Sequence, residues 1–175
     1  GIGRLTRQKN FKYLIDEFKL FKNENKNSNI KLLIIGDGEE EKNILNRIKL
    51  NNLSKEVNLL NRTNNVYKYM KKSEAFILPS LWEEVGFVIV EAAMSNTFII
   101  SSNCPNGPTE FLNNGDAGIL FKNNKVGELS NSLKLFLDNK INFMEKRKYA
   151  KKNSVKYTKF RHFKKLIKII DENQV

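Results

Sequence analysis

Short apolar runs punctuate this chain at regular intervals. They lie at residues 30–35, 57–60, 75–78, 97–101 and 118–121 and are rich in Ile, Leu, Val and Phe. Apolar residues fall on both faces of each run, the pattern of strands covered on two sides. A truncated strand is expected to end at Ile2. Between the runs the period becomes helical. Residues 10–25 place Phe11, Leu14, Ile15, Phe18 and Phe21 on one face, and residues 39–51 do the same with Ile44, Leu45 and Ile48. Further helices are predicted at 65–72, 85–94, 125–139, 143–154 and 157–170. The 85–94 segment is mostly apolar, so it is expected to be buried.

Strands alternating with helices imply right-handed crossovers and a parallel sheet. The prediction is an α/β fold with a doubly wound parallel sheet, Rossmann-like, in a single domain over 1–175. A basic helical C-terminal segment occupies about 142–172 of it. No internal repeat or clear linker interrupts the pattern. Ligands of such folds sit at the carboxyl ends of the strands, so chemistry is expected in loops 3–10, 36–39, 61–64, 79–86 and 102–109.

Composition narrows the class. The 175 residues, 40% of them hydrophobic, suffice for one core. No apolar run approaches the length that spans a bilayer, and no signal peptide is visible, so a soluble, cytoplasmic domain is expected. The chain opens Gly-Ile-Gly-Arg without Met and in mid-element, which reads as an excised domain. Cys104 is the single cysteine. An intrachain disulfide and a thiolate metal site are therefore excluded, in keeping with a reducing compartment. Lys and Arg total 31 against 19 Asp and Glu, a net +12. That excess suits phosphates, acidic lipid surfaces or nucleic acid; a coding bias toward Lys and Asn explains it equally well. The basic residues are spread along the chain, and no helix-turn-helix, zinc-knuckle or RNA-recognition pattern appears, so nucleic acid is not expected.

Four segments carry candidate chemistry. In Pro79-Ser80-Leu81-Trp82-Glu83-Glu84-Val85-Gly86-Phe87-Val88-Ile89-Val90-Glu91 a strand ends, an acidic loop follows and a helix opens near Gly86. A helix N-terminus offers unpaired N–H groups to a phosphate or hydroxyl. Glu83 in the loop and Glu91, about two turns into the helix, can accept hydrogen bonds from sugar or ribose hydroxyls; an N-cap acid and a salt-bridged Glu explain the pair as well. In Gly3-Arg4-Leu5-Thr6-Arg7-Gln8-Lys9-Asn10, Arg4 and Lys9 can converge on a diphosphate, or simply decorate a solvated loop. Gly36-Asp37-Gly38-Glu39 is a tight turn between strand and helix, without the third glycine of the dinucleotide fingerprint or the acid some twenty residues on that a dehydrogenase carries. Cys104-Pro105-Asn106-Gly107-Pro108-Thr109-Glu110 is a turn leading into a short helix.

Taken in order, these segments resemble the C-terminal domain of family 4 glycosyltransferases, enzymes of the two-domain GT-B architecture. The resemblance covers almost the whole chain and also takes in Leu78-Pro79-Ser80 and Gly115…Gly118. It implies that Gly3, Arg4 and Lys9 belong to the loop holding the donor diphosphate. Glu83 would face the donor sugar and Glu91 would bind the ribose hydroxyls. The backbone around Gly86, Phe87 and Val88 would contact sugar and phosphate, and the loop at Arg62 would frame the base. Catalysis would rest on Arg4, Lys9 and Glu83. The resemblance further implies retention of configuration, no metal (the sequence has no Asp-x-Asp) and no cofactor beyond the donor. The Cys-Pro-Asn-Gly-Pro-x-Glu form is similar to members using UDP-hexoses or UDP-N-acetylhexosamines in surface-polysaccharide synthesis, so a UDP-sugar donor is expected.

Two departures stand out. Glu84-Val85-Gly86 replaces the usual Gly-aromatic-Gly, which adds a carboxylate near the diphosphate site. Ser95-Asn96-Thr97 replaces Gly-x-Pro. The acceptor site would lie in an N-terminal domain outside this chain, so the isolated domain is expected to bind donor with little transfer. A non-catalytic nucleotide-binding or scaffold module is the alternative. In the last segment Phe160, Phe163, Leu166, Ile167 and Ile170 interleave with Lys159, Arg161, Lys164, Lys165 and Lys168. Such a helix can pack on the missing domain, form this domain's own outer layer, or lie on an anionic membrane surface at the inner face of the membrane; packing is the expectation. His162, the single histidine, is read as a surface or packing residue.

Overall fold

The computed structural model describes residues 1–26 and 28–172. A 3-10 turn at Arg7–Lys9 leads into α1 (Phe11–Glu24). Then follow β1 (Leu32–Ile35), α2 (Glu41–Leu50), β2 (Val57–Leu60), α3 (Tyr67–Lys72), β3 (Ala75–Leu78), α4 (Phe87–Met94), β4 (Phe98–Ser102), α5 (Gly107–Phe111), β5 (Ile119–Phe121), α6 (Glu128–Asp138), α7 (Met144–Ser154) and α8 (Lys159–Glu172). The five predicted apolar runs are strands and every predicted helix is present, with ends moved by a few residues. Two of the shifts matter. Helix α4 starts at Phe87 and not at 85, because its N-cap Gly86 sits at φ 66; Glu91 is therefore one turn into the helix, not two. In α2 only Ile44 and Ile48 are buried, while the predicted core residue Leu45 is 40% exposed.

The strands form two parallel ladders, β1–β2 and β3–β4–β5. Register runs Leu32 to Val57, Ala75 to Phe98 and Ile100 to Ile119. The opening residues lie between the ladders. Ile2 bridges Ile35 in parallel, and a Cβ on Gly1 would lie 3.4 Å from the Ile77 carbonyl oxygen. The strand predicted to end at Ile2 is thus reduced to a single bridge beside β1.

Side chains on alternate strand positions enter different cores, which is what a sheet covered on both faces requires. Ile77, Phe98, Ile100, Ile119 and Phe121 join Phe11, Leu14, Phe18, Ile44, Leu129 and Phe136 on one side. Phe76, Leu78 and Ile99 join Met70, Ile89, Ala93 and Phe111 on the other. The first layer of helices is α1, α2 and α6; the second holds α3, α4, α5 and α7. Buried Glu17 of α1 ties α1 to α6 by accepting from the N–H groups of Gly127 (2.8 Å) and Ser130 (3.0 Å), donors that a helix start leaves without partners.

Candidate active site at the carboxyl ends of the strands

The loops that follow the strands are fastened to one another, and the fastening begins with the backbone. Gly3 N–H donates to the Ile35 carbonyl (3.1 Å), Leu5 N–H to that of Asp37 (2.7 Å) and Glu40 N–H back to that of Leu5 (2.9 Å). Leu5 is fully buried and anchors the first loop. Gly36 leaves β1 so close to this loop that an added Cβ would lie 1.9 Å from the Gly3 carbonyl oxygen. The first loop also grips the third. Leu81 N–H donates to the Gln8 carbonyl and Gln8 Nε2 to the Trp82 carbonyl, each at 2.8 Å. Asn123 Nδ2 holds the Leu81 carbonyl at 2.8 Å.

This backbone frame brings Lys9 to Glu83. The Lys9 ammonium forms an ion pair with Glu83 Oε1, 74 positions along the chain. The same oxygen accepts the Ser80 hydroxyl at 2.5 Å. Ser80 is wholly buried and Glu83 is 5% exposed. Below them the Ser102 hydroxyl donates to the Ser80 carbonyl at 2.6 Å. A carboxylate this deep requires partners, because an unpaired charge removed from water is strongly unfavourable. Lys9 and Ser80 supply them.

Helix α4 opens beside this cluster. A Cβ on Gly86 would lie 3.7 Å from Glu83 Cβ. The first N–H groups of the helix, at Phe87 and Val88, have no earlier helical carbonyl to bond and point toward the N-terminal end. Phe87 is exposed and Val88 half-buried. Glu91 is half-buried, and burial holds its carboxyl above the ordinary glutamate range.

The sign of that shift gives a test. A native carboxyl with a raised pKa keeps its proton while the unfolded chain has lost it, so stability falls as pH rises through that window and stays lower above it. Glu91→Gln is expected to unfold at a higher temperature than the parent at pH 7. The gain should vanish below the ordinary glutamate pKa of about 4.3. Equal melting temperatures at pH 7 would show that Glu91 is not desolvated.

The structure brings Gly3, Lys9, Glu83 and Gly86 together and sets Phe87, Val88 and Glu91 on the adjoining helix. Arg4 and Arg62 are exposed, and no hydrogen bond or ion pair joins either to the cluster among the described residues. Glu84, the departure noted in the sequence, is exposed; its carbonyl accepts from Gly107 N–H at 2.9 Å, which fastens the third loop to the turn before α5. His162 is exposed on α8. Sequence reasoning gave no role to Ser80, Gln8 or Asn123. The signal for Ser80 was a hydroxyl at the end of an apolar strand, three positions before an acid. A cleft of about 530 Å³ at the opposite ends of the strands, lined by Gly1, Leu33, Ala75, Ile77, Phe136 and Lys140, involves none of these residues.

The fold and its loop cluster define a Rossmann-like α/β domain of the kind that forms half of a GT-B glycosyltransferase. Residues 2–157 match the family model for glycosyl transferases group 1, and the chain belongs to that family. It is 34% identical over 151 residues to an Escherichia coli UDP-Gal:alpha-D-GlcNAc-diphosphoundecaprenol alpha-1,3-galactosyltransferase, covering 83% of this chain and 38% of that protein. It is 30% identical over 156 residues to a Campylobacter jejuni N-acetylgalactosamine-N,N'-diacetylbacillosaminyl-diphospho-undecaprenol 4-alpha-N-acetylgalactosaminyltransferase, covering 89% and 40%. Among solved structures it resembles Staphylococcus aureus TarM in complex with fondaparinux, alpha-GlcNAc-glycerol and UDP, with a TM-score of 0.87 at 22% identity over 95% of this chain and 34% of that one. The chain thus spans well under half the length of these relatives.

Proposed function

We propose that the chain, residues 1–175, is the donor-binding domain of a retaining, metal-independent glycosyltransferase that takes a hexose or N-acetylhexosamine from a UDP-sugar. The observation that carries this reading is the Lys9–Glu83–Ser80 cluster at the carboxyl ends of the strands, beside the N-terminus of α4. As the bond between sugar and diphosphate breaks, negative charge builds on the departing diphosphate. Lys9, Arg4 swinging in from the surface, and the N–H groups of Phe87 and Val88 would offset it. Such fixed donors stabilise charge that develops in the transition state. One oxygen of Glu83 is held by Lys9 and Ser80, and the other is left for a sugar hydroxyl. Glu91, a turn along α4, would take the ribose hydroxyls, and Arg62 would border the base.

Several relatives support a nucleotide sugar. The E. coli protein is named for UDP-Gal, and TarM is described in complex with UDP. Both named transferases act on diphospho-undecaprenol derivatives, so a lipid-linked acceptor at the cytoplasmic face of a membrane is part of the proposal. The acceptor would be bound by an N-terminal domain across a cleft, and this domain alone would transfer sugar poorly.

Calorimetric titration of the domain with UDP, UDP-glucose, UDP-N-acetylglucosamine and GDP-mannose tests the proposal. Saturable binding of the uridine nucleotides, weakened about tenfold or more by Glu91→Ala, is expected, as for loss of a hydrogen bond to a charged group. Absence of binding by any nucleotide, with the domain shown to be folded, would overturn the reading.

A further inference from the structure

A glutamate side chain turns about several bonds, so a site that needs one carboxylate oxygen in a fixed place must hold the other. Glu83 Oε1 has two donors, the Lys9 ammonium and the Ser80 hydroxyl. The two differ in kind. An ammonium on a flexible four-carbon stem is a point charge that follows its partner, and in the donor reading Lys9 is also drawn to the diphosphate. A serine hydroxyl hangs on Cβ with a single rotor of three staggered settings. It goes only where its own backbone goes.

The backbone of Ser80 is fixed from three other segments of the domain. Ser102, wholly buried at the end of β4, holds the Ser80 carbonyl at 2.6 Å. Asn123, after β5, holds the Leu81 carbonyl at 2.8 Å. Gln8 of the first loop takes the Leu81 N–H on its carbonyl and reaches the Trp82 carbonyl with Nε2, each at 2.8 Å. None of these bonds uses the Ser80 hydroxyl, so the loop keeps its path without it. The hydroxyl is wholly buried, out of reach of solvent, and its one proton goes to Glu83 at 2.5 Å. A serine that served only the turn would bond the turn; this one bonds the carboxylate assigned to the sugar.

We propose that Ser80 is a positioning residue for the donor sugar: its hydroxyl pins Oε1 of Glu83 so that Oε2 is presented to a sugar hydroxyl. Oε2 has no hydrogen-bond partner among the described residues. An ionised carboxylate only accepts, so its partner on the sugar is a donating hydroxyl. When the diphosphate draws Lys9 away, Ser80 alone keeps Glu83 in place, and Ser102 stands behind it through the Ser80 carbonyl. This role rests on the donor reading and adds to it a residue that touches neither sugar nor diphosphate. Its effect falls on recognition of the sugar and not of the nucleotide.

Calorimetric titration of the parent, Ser80→Ala and Ser80→Cys with UDP, UDP-glucose and UDP-N-acetylglucosamine tests the proposal. UDP carries no sugar, so its affinity for Ser80→Ala should stay within about twofold of the parent. Affinity for whichever UDP-sugar the parent binds better should fall about tenfold, as for a weakened hydrogen bond to a charged group. A serine that served only the fold would lower both alike. Ser80→Cys keeps the buried volume with a weak donor and should show the same selective loss, which separates the hydrogen bond from packing. Equal losses for UDP and UDP-sugar, no loss in Ser80→Ala, or full recovery in Ser80→Cys would overturn the role of Ser80 while parental UDP binding upholds the donor reading. Absence of nucleotide binding by the folded parent would overturn the donor reading and the role of Ser80 with it.

Discussion

Gly36→Ala is expected to leave little folded protein. Gly36 is buried at the end of β1, and its N–H donates to the Leu60 carbonyl at 3.0 Å. The Cβ of alanine would meet the Gly3 carbonyl oxygen at 1.9 Å and Leu5 Cδ2 at 3.2 Å. The side chain of Leu5 can adjust; the carbonyl cannot. Gly3 is held by its own N–H on the Ile35 carbonyl, so moving it away breaks the bond between the first loop and the end of β1 and drags the Lys9 loop with it. Clashes of this kind belong to the rare substitutions that cost more than about 4 kcal/mol, against a total stability of roughly 5–15 kcal/mol. Circular dichroism and thermal unfolding should show a lost or sharply lowered transition. A variant melting within a few degrees of the parent would mean that the first loop does not pass where the structure has it.

Lys9→Met should have the next largest effect, on stability and on ligand together. It strands Glu83, 5% exposed, with only the Ser80 hydroxyl as partner. Removing one member of a buried pair costs about 3–5 kcal/mol, whereas neutralising both members is far milder. The double variant Lys9→Met/Glu83→Gln is therefore expected to recover most of the stability. It should not recover UDP binding, because the diphosphate has lost a charge-assisted donor worth about 1.5–3 kcal/mol, or roughly ten- to hundredfold in affinity. Thermal unfolding and calorimetry on the single and double variants separate the two roles. Restored stability with parental UDP affinity would make Lys9 a structural partner of Glu83 and nothing more.

Much of this architecture was legible before any coordinates. The five apolar runs became β1 to β5 because continuous Ile, Leu and Phe leave a strand nowhere to go but the middle of a two-sided layer. The helices followed from their apolar stripes, with Leu45 as the error. A stripe read from sequence shows which side chains could turn inward, and the neighbouring helix decides how wide a band it covers. The site was legible as a set of loops and not as contacts. Lys9 and Glu83 each carry candidate chemistry, yet as separate ligands of a substrate; across a separation of 74 positions nothing in the sequence shows that they bond to each other. Ser80 stands in two of the motifs without a role, because a serine after a strand shows no partner until its hydroxyl is found on a buried carboxylate. The concern over Glu84 was local in the same way, and the backbone bond to Gly107 leaves that side chain in solvent.

The amino-acid sequence by itself determined the order of the elements, the parallel sheet and the edge of it where the motifs gather, because periodicity and strand-to-helix alternation are properties of neighbours in the chain. Only the tertiary structure decided that Lys9, Ser80 and Glu83 form one buried cluster, that Gly36 is a point of backbone contact, and that the apolar face of α8 finds no place in this domain. Each of those depends on segments far apart in the chain meeting at a fixed distance, and the frame of hydrogen bonds between the loops sets that distance.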